Sequence, residues 1–267
     1  MVGEKNLVGN MQGLKVAILG LGEAGSHFAK DLVNLGVEVS GYDPVISPKI
    51  PEEVRLAASA KEAIEGADIV FSVNLSSVSI DLASELADTL QAHQFFCEMN
   101  TSGPEKKKKI ASILENSGVK VIDLAIMAPV PPKGIFTPLL ASGTHAIELE
   151  AILKPLGLQI SVVENGLIGD AATRKLLRSI VYKGMAAVIC EAMEAGEIFG
   201  MESYMRGQIS SLLGGDDELI DRFVEGSRIH AKRRKDEMEA VIEMLEAKGI
   251  EPIVTTATKN NLQKLIK

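Results

Sequence analysis

The run LKVAILGLGEAG, residues 14–25, restricts the fold more than any other stretch of this chain. LKVAILG has the length, apolar content and β-branched residues of a buried strand. Gly20, Gly22 and Gly25 then punctuate a turn, and EAGSHFAKDLVNLG continues with helical periodicity closed by Gly36. A strand that turns through glycines straight into a helix commits the chain to a strand–helix unit. The pattern repeats: VEVSGYD, ADIVFSVN, QFFCEMN and VKVIDLA read as further strands, and SIDLASELADTLQ and PEKKKKIASILENSG as helices between them. FTPLLAS and LQISVVE are two more candidate strands. After about Asn165 strand-like runs stop. Helical periodicity runs from Asp170 to about Gly200, through SYMRGQISSLL, and from about Asp216 to Lys248.

Alternating strands and helices predict a parallel sheet covered on both faces. The expected organisation is an α/β, Rossmann-type domain over residues 14–166, an all-helical domain over 167–267, and a short lead-in over 1–13. The glycines carry a second meaning. Gly20-Leu21-Gly22-Glu23-Ala24-Gly25 is a GxGxxG between strand and helix, and Asp43 ends the next strand, 18 positions past Gly25. That arrangement is a dinucleotide-binding fingerprint. Gly20 permits the tight turn, Gly22 the approach of a pyrophosphate, and Gly25 close packing of helix on strand. The helix N-terminus offers N–H groups and a positive dipole end to the phosphates. Asn74, at the end of ADIVFSVN, is also expected at the cofactor. A carboxylate at Asp43 accepts hydrogen bonds from ribose hydroxyls and repels a 2′-phosphate, which favours NAD. NADP remains possible if Arg55 swings in from the following loop.

The formal net charge of −8 argues against a general affinity for nucleic acid, whose phosphates demand a basic face. No apolar run reaches the roughly 18 residues needed to span a bilayer. Cys97 and Cys190 are far apart with no CxxC, so neither a disulfide framework nor a metal site is expected, and a reducing cytoplasm is the default.

Two segments suggest a place for a small anionic substrate. In EMNTSGPEKKKKI a strand end passes through Thr101, Ser102 and Gly103 into a helix with Pro104 at its first position. Small residues at a helix N-terminus make a carboxylate cradle, or a simple cap. Lys106 to Lys109 beyond it read as a solvated face. In GDAATRKLLRSIVYKG, Lys175, Ser179 and Lys183 interrupt an otherwise apolar helix. At about 100° per residue they share one broad face. A half-buried lysine there either snorkels to water or moves a proton.

These motifs together resemble the β-hydroxyacid dehydrogenases, the group that includes 3-hydroxyisobutyrate, tartronate semialdehyde and 6-phosphogluconate dehydrogenases. The resemblance covers nearly the whole chain from Leu14 and implies a Rossmann domain followed by a helical one, usually in an interlocked homodimer. It implies that Lys175 is the catalytic general acid/base and that Lys235, of the Lys235-Asp236 pair, lies near the cofactor. It also implies cofactor and substrate contacts at Thr101. The departures are equally specific. The family asparagine four residues past the lysine is Ser179 here, with Lys183 one turn on as a possible contributor. The family's D-x-S-T-x-S-P is Glu98-Met99-Asn100-Thr101-Ser102-Gly103-Pro104, and its substrate-holding S-G-G becomes Met127-Ala128-Pro129, followed by Lys133 as a possible anion partner. A divergent branch with a basic helix like RIHAKRRKDEM fits better, and there His230, Arg233 and Arg234 are candidates to reach the substrate. The expected activity is NAD(P)-dependent hydride transfer at the hydroxyl carbon of a small β-hydroxy acid. The alternatives are an imine or keto reductase on the same scaffold, or a cofactor-binding regulator without turnover.

Overall fold

The computed structural model describes residues 13–45 and 50–266, so the expected lead-in lies outside the described residues apart from Gly13. The chain divides into two compact units, Met1–Ala172 and Thr173–Lys267.

The first unit is built on an eight-stranded sheet. Its strands are β1 (Lys15–Leu19), β2 (Glu38–Tyr42), β3 (Arg55–Leu56), β4 (Ile69–Ser72), β5 (Phe95–Glu98), β6 (Lys120–Ile126), β7 (Leu139–Ser142) and β8 (Ile160–Val162). They lie in the order β3-β2-β1-β4-β5-β6-β7-β8. Five helices accompany them: α1 (Glu23–Asn34), α2 (Ala60–Ile64), α3 (Ser79–Leu86), α4 (Pro104–Leu114) and α5 (Ala146–Leu153). Because side chains alternate along a strand, each strand feeds two cores. Val16, Ile18, Phe71 and Cys97 pack with Phe28 and Leu32 of α1. Ala17, Leu19, Val70 and Phe96 pack with Ala83 and Leu86 of α3 and Ile110 and Leu114 of α4. Burial on both faces explains why these strands read as unbroken apolar runs.

The sheet is not wholly parallel, as the alternation had suggested: β7 runs antiparallel to β6. Residues 127–138 between them hold only a short 3₁₀ turn, Gly134–Phe136. A parallel return needs a crossover, usually a full helix, so this connection reverses direction instead.

The second unit contains most of α6 (Asp170–Ile198), then α7 (Glu202–Leu212), α8 (Asp217–Ile229), α9 (Ala231–Glu246) and α10 (Ile253–Lys264). The division falls inside α6, later than the change of sequence texture, because the first turn of that helix bonds to the sheet. Ala171 N donates to Ser142 Oγ at 3.0 Å and Ala172 N to the Asp123 carboxylate at 2.9 Å. The helical pattern over 216–248 is broken at His230, which leaves helical geometry at φ −110°, ψ 23°. The break lets two apolar faces serve two clusters. Ile220 and Phe223 of α8 pack with Ala186 and Ile189 of α6. Met238 and Val241 of α9 pack with Leu176 of α6 and Leu262 of α10. α10 has few apolar residues and was not legible as a helix; it buries Thr255, Thr258 and Leu262.

Candidate functional site

The glycine turn sits where the sheet order reverses, between β1 and β4, the place at which open α/β sheets collect ligands. Two of its glycines are demanded by the fold itself. Gly20 has φ +102°, and a Cβ there would lie 2.7 Å from the Val73 carbonyl and 2.8 Å from Asn74. A Cβ on Gly25 would overlap the Gly20 carbonyl. Gly22 is different: among the described residues a Cβ there would meet nothing within 4 Å, and Gly22 forms the N-cap of α1 without any side-chain cap. A helix N-terminus left open in this way is suited to receive a phosphate. Leu21 contributes backbone only, because its side chain is wholly buried in the core. Its N–H donates to Asp43 Oδ2 at 2.7 Å, while Asp43 Oδ1 accepts from Val45 N at 2.8 Å. The carboxylate is thus fixed at the rim of the turn. Glu23 is exposed in the first turn of α1, and Ala24 is half-buried beside it.

Asn74 faces the neighbouring strand end. Its Oδ1 accepts from Asn100 Nδ2 at 2.8 Å, and its Nδ2 donates to Ser72 Oγ at 3.2 Å. Asn100 in turn is held by Glu98 Oε1, which accepts from the Asn100 backbone N–H at 3.3 Å and from Nδ2. Beyond Asn100, Thr101, Ser102 and Gly103 lead into α4, whose N-terminus also lacks a side-chain cap. Ser102 is buried, and among the described residues its Oγ has no hydrogen-bond partner. An orphaned hydroxyl beside an uncapped helix N-terminus suits a carboxylate or phosphate.

The lysine run behind this turn is not a plain solvated face. Lys107 is buried, with its Nζ paired to the Glu98 carboxylate, 3.3 Å from Asp123 Oδ1 and 2.9 Å from the Glu98 carbonyl. Helical periodicity places one of four consecutive lysines inward, over two buried acids paired across β5 and β6. Burial alone would pull the Lys107 pKa down; the charges of Glu98 and Asp123 and their hydrogen bonds more than reverse this and hold it above the ordinary lysine value.

In the second unit the three polar residues of α6 meet a carboxylate absent from the sequence-based list. Glu237 of α9, only 4% exposed, accepts from the Ser179 hydroxyl and, at 2.6 Å, from Lys183 Nζ. Lys183 also donates to Ser179 Oγ at 3.0 Å. Burial pushes the Glu237 pKa up, but the charges of Lys183 and Lys175 and the two hydrogen bonds outweigh it and leave the group below its ordinary value. Burial lowers the pKa of Lys183; Glu237 restores only part, and Arg234 and Arg233 act in the same direction as burial. Glu237 was discoverable, since α9 buries Ala231, Arg234, Met238 and Val241 and position 237 lies on the same flank as Ala240 and Met244. A basic helix drew attention to its cations instead.

A match over residues 15–130 identifies the NAD binding domain of 6-phosphogluconate dehydrogenase, and residues 199–265 match a domain of unknown function (DUF1932). Conserved protein MTH1747, whose structure is described as similar to 3-hydroxyacid dehydrogenases, superposes with a TM-score of 0.74 at 29% identity, over 94% of this chain and 96% of that one. Over nearly its whole length the chain is thus similar to a protein described as like the 3-hydroxyacid dehydrogenases, and its first part to an NAD binding domain. An uncharacterised 28.5 kDa protein of Methanothermus fervidus is 26% identical over 92% of this chain and 97% of its own length. The NAD-dependent L-serine dehydrogenase of Pseudomonas aeruginosa is 24% identical over 78% of this chain and 72% of its own.

The other expected residues have the following surroundings in the structure. Arg55 is on the edge strand β3, not a loop, and its guanidinium is taken by Glu62: NH2 donates to the Glu62 carbonyl at 3.1 Å and NH1 lies 3.4 Å from its carboxylate. Met127 donates its N–H to the Pro138 carbonyl at the start of the reversing connection. Lys133 is exposed at the head of the 3₁₀ turn, which is anchored to α1 by Ile135 N donating to Asp31 Oδ2 at 2.9 Å. Asp31 lies about 13 Å down α1 from Gly22, so the turn carrying Lys133 is fastened well away from the glycines. Arg234 points inward: it donates to Ser227 Oγ at 2.8 Å and lies 5.8 Å from the Tyr182 ring centroid. Its guanidinium is thereby held between a hydroxyl and an aromatic face of the helical unit. Lys235 pairs with Glu239 on its own helix at 2.9 Å. His230 is half-buried at the α8–α9 junction.

Proposed function

We propose that this protein interconverts a small 3-hydroxy acid and the corresponding semialdehyde or keto acid, with NAD as the hydride carrier and Lys175 as general acid/base. The observation that carries this reading is the α6 face of Lys175, Ser179 and Lys183 set against a buried carboxylate, an arrangement with no packing purpose in an apolar bundle. NAD, when bound, accepts hydride from the carbinol carbon. Gly22 and the N-terminus of α1 hold its pyrophosphate, and Asp43 accepts from its ribose hydroxyls, which favours NAD over NADP. Ser102, Thr101 and the N-terminus of α4 hold the substrate carboxylate. Oxidation releases a hydride and a proton. The proton passes from the substrate hydroxyl to Lys175 Nζ, which enters the step neutral and leaves it as an ammonium. The relative named as an L-serine dehydrogenase makes L-serine the first substrate to try.

The test is calorimetric titration with NAD, NADH, NADP and NADPH, followed by turnover of L-serine and 3-hydroxyisobutyrate with the tightest binder. NAD-selective binding with turnover supports the proposal, and binding without turnover on any hydroxy acid rejects it. Gly22→Ala refines the cofactor part. The added Cβ meets no atom, so the fold loses only about 1 kcal/mol, the ordinary effect of alanine at an N-cap. The Kd for NAD rises at least about 10-fold. An unchanged Kd would place the pyrophosphate elsewhere.

We also propose that the chain works as a homodimer. Leu177, Val181, Met185 and Val188 form an exposed apolar stripe on α6 at helical spacing, Val188 being 69% exposed. A two-fold axis brings such a stripe against its own copy. Light scattering after size exclusion is expected to give twice the 28.5 kDa chain mass. Val181→Glu with Val188→Glu is expected to halve it, and a wild-type mass of one chain at micromolar concentration rejects the dimer.

A further inference from the structure

The Ser179 hydroxyl has one proton, and it goes to Glu237. Toward any other group Ser179 is therefore an acceptor, and its oxygen already takes a bond from Lys183 at 3.0 Å. It does not act as the amide donor that an asparagine would supply. Glu237 dictates this. The same carboxylate lies 2.6 Å from Lys183 Nζ, and the charge of Lys175, two turns back along α6, also reaches it. A leucine at 237 would extend the cluster of Leu176, Met238 and Val241 with no charge to bury. Burying an ionised pair costs several kcal/mol per ion before the partners offset it, so the pair is weak as a stability device.

We propose that Glu237 is a positioning residue of the acid/base centre: it keeps Lys183 as its fixed counter-ion and Ser179 as a fixed acceptor, so that Lys175 alone gains and loses the proton. This rests on the functional reading above, which makes Lys175 the acid/base. The charged groups acting on Glu237 are Lys175 and Lys183 from α6 and Arg234 from α9 itself, and Arg233 acts on Lys183 and Arg234 beside it. Removing Lys183 leaves the carboxylate with Lys175 as its remaining α6 cation, which favours the ammonium form of Lys175. Removing Glu237 as well cancels that effect.

The experiment uses the full chain with its lysines reductively methylated by ¹³C-formaldehyde, a modification that keeps the charge. The resonance missing from Lys175→Arg identifies Lys175, and its shift is followed against pH. In Lys183→Met the titration midpoint is expected to rise by at least about one pH unit, the size of a single close charge effect. In Lys183→Met/Glu237→Gln it is expected to return to within about half a unit of wild type. The acid limb of NAD reduction with L-serine is expected to move in step. A midpoint that stays put in folded Lys183→Met overturns the proposal, because a purely structural pair changes stability without moving it. Should that variant not fold, Glu237→Gln, which keeps the side-chain volume, carries the test: the midpoint must fall, because Lys175 loses a nearby anion and Lys183 loses its counter-ion, and a midpoint that holds or rises overturns the proposal. The two failures separate. Full turnover in Lys175→Ala sinks the functional reading, whereas lost turnover there with an unmoved midpoint in Lys183→Met sinks only the role of Glu237.

Discussion

Replacing Lys175 by alanine is expected to lower kcat at least about 100-fold while leaving the Kd for NAD near its wild-type value, since a positioned general acid/base contributes roughly 10²–10⁴-fold. The split matters because Lys175 is assigned to proton transfer and not to cofactor binding; an interaction made only in the transition state appears in kcat and kcat/KM together. Lys175→Arg separates charge from chemistry. It keeps the cation beside Glu237, but a guanidinium does not give up its proton at working pH, so turnover is expected to stay low. Added methylamine, small enough to enter the space left in Lys175→Ala, is expected to restore part of the rate with a dependence on its free-base concentration. Near-normal turnover in Lys175→Ala rejects the assignment. Normal turnover in Lys175→Arg would make the residue an electrostatic anchor for an anionic substrate.

The turn between β1 and α1 was legible because its constraints are local. Glycines at 20, 22 and 25 and an acid at 43 answer to the backbone geometry of one turn, which leaves marks in sequence order. Even so, the sequence assigned each glycine a role without separating fold from function. The structure separates them by space: among the described residues a Cβ would clash at Gly20 and Gly25 but not at Gly22. The reversal at β7 depends on what fills residues 127–138, where proline and glycine give no helical or strand period to read. Glu237 and Lys107 were missed for a common reason. Each sits in a run of charges that suggests a solvated surface, and each is buried by the phase of its helix against partners distant in the chain: Ser179 and Lys183 for one, Glu98 and Asp123 for the other. A run of like residues hides the one that points inward. Arg55 and Arg234 show what sequence order hides about cations: both have partners within the chain, Glu62 and Ser227.

Lys107→Met is expected to destabilise the first unit by about 3–5 kcal/mol, the usual result of leaving a buried charge without its partner. Methionine matches the aliphatic stem, so the loss reports charge and hydrogen bonding more than volume. Lys107 is 2% exposed, and it is the cation that faces both Glu98 and Asp123. Asp123 retains Ala172 N and Ser142 Oγ, whereas Glu98 retains only Asn100, so Glu98 bears more of the loss. Neutralising that acid in Lys107→Met/Glu98→Gln is therefore expected to recover part of the stability, a non-additivity that a plain packing defect would not give. The exposed pair of Lys108 with Glu105 supplies the control: Lys108→Met is expected to change stability by less than about 1 kcal/mol. The pH dependence has a definite sign. The folded pKa of Lys107 is raised, so its contribution is complete below the ordinary lysine value and is lost as pH climbs through the raised one. Urea unfolding of wild type and Lys107→Met is thus expected to show a gap that is constant from neutral pH to the ordinary lysine range and narrows only beyond it. A loss below about 1 kcal/mol at neutral pH would mean that water or proton uptake relieves Glu98 and Asp123 without the lysine. The consequence extends past stability. Glu98 holds Asn100, Asn100 holds Asn74, and the backbone of Asn74 occupies the space that a Cβ on Gly20 would need. On the proposal that the glycine turn receives the cofactor, Lys107 supports that turn from outside it, and Lys107→Met is expected to weaken NAD binding in whatever fraction remains folded.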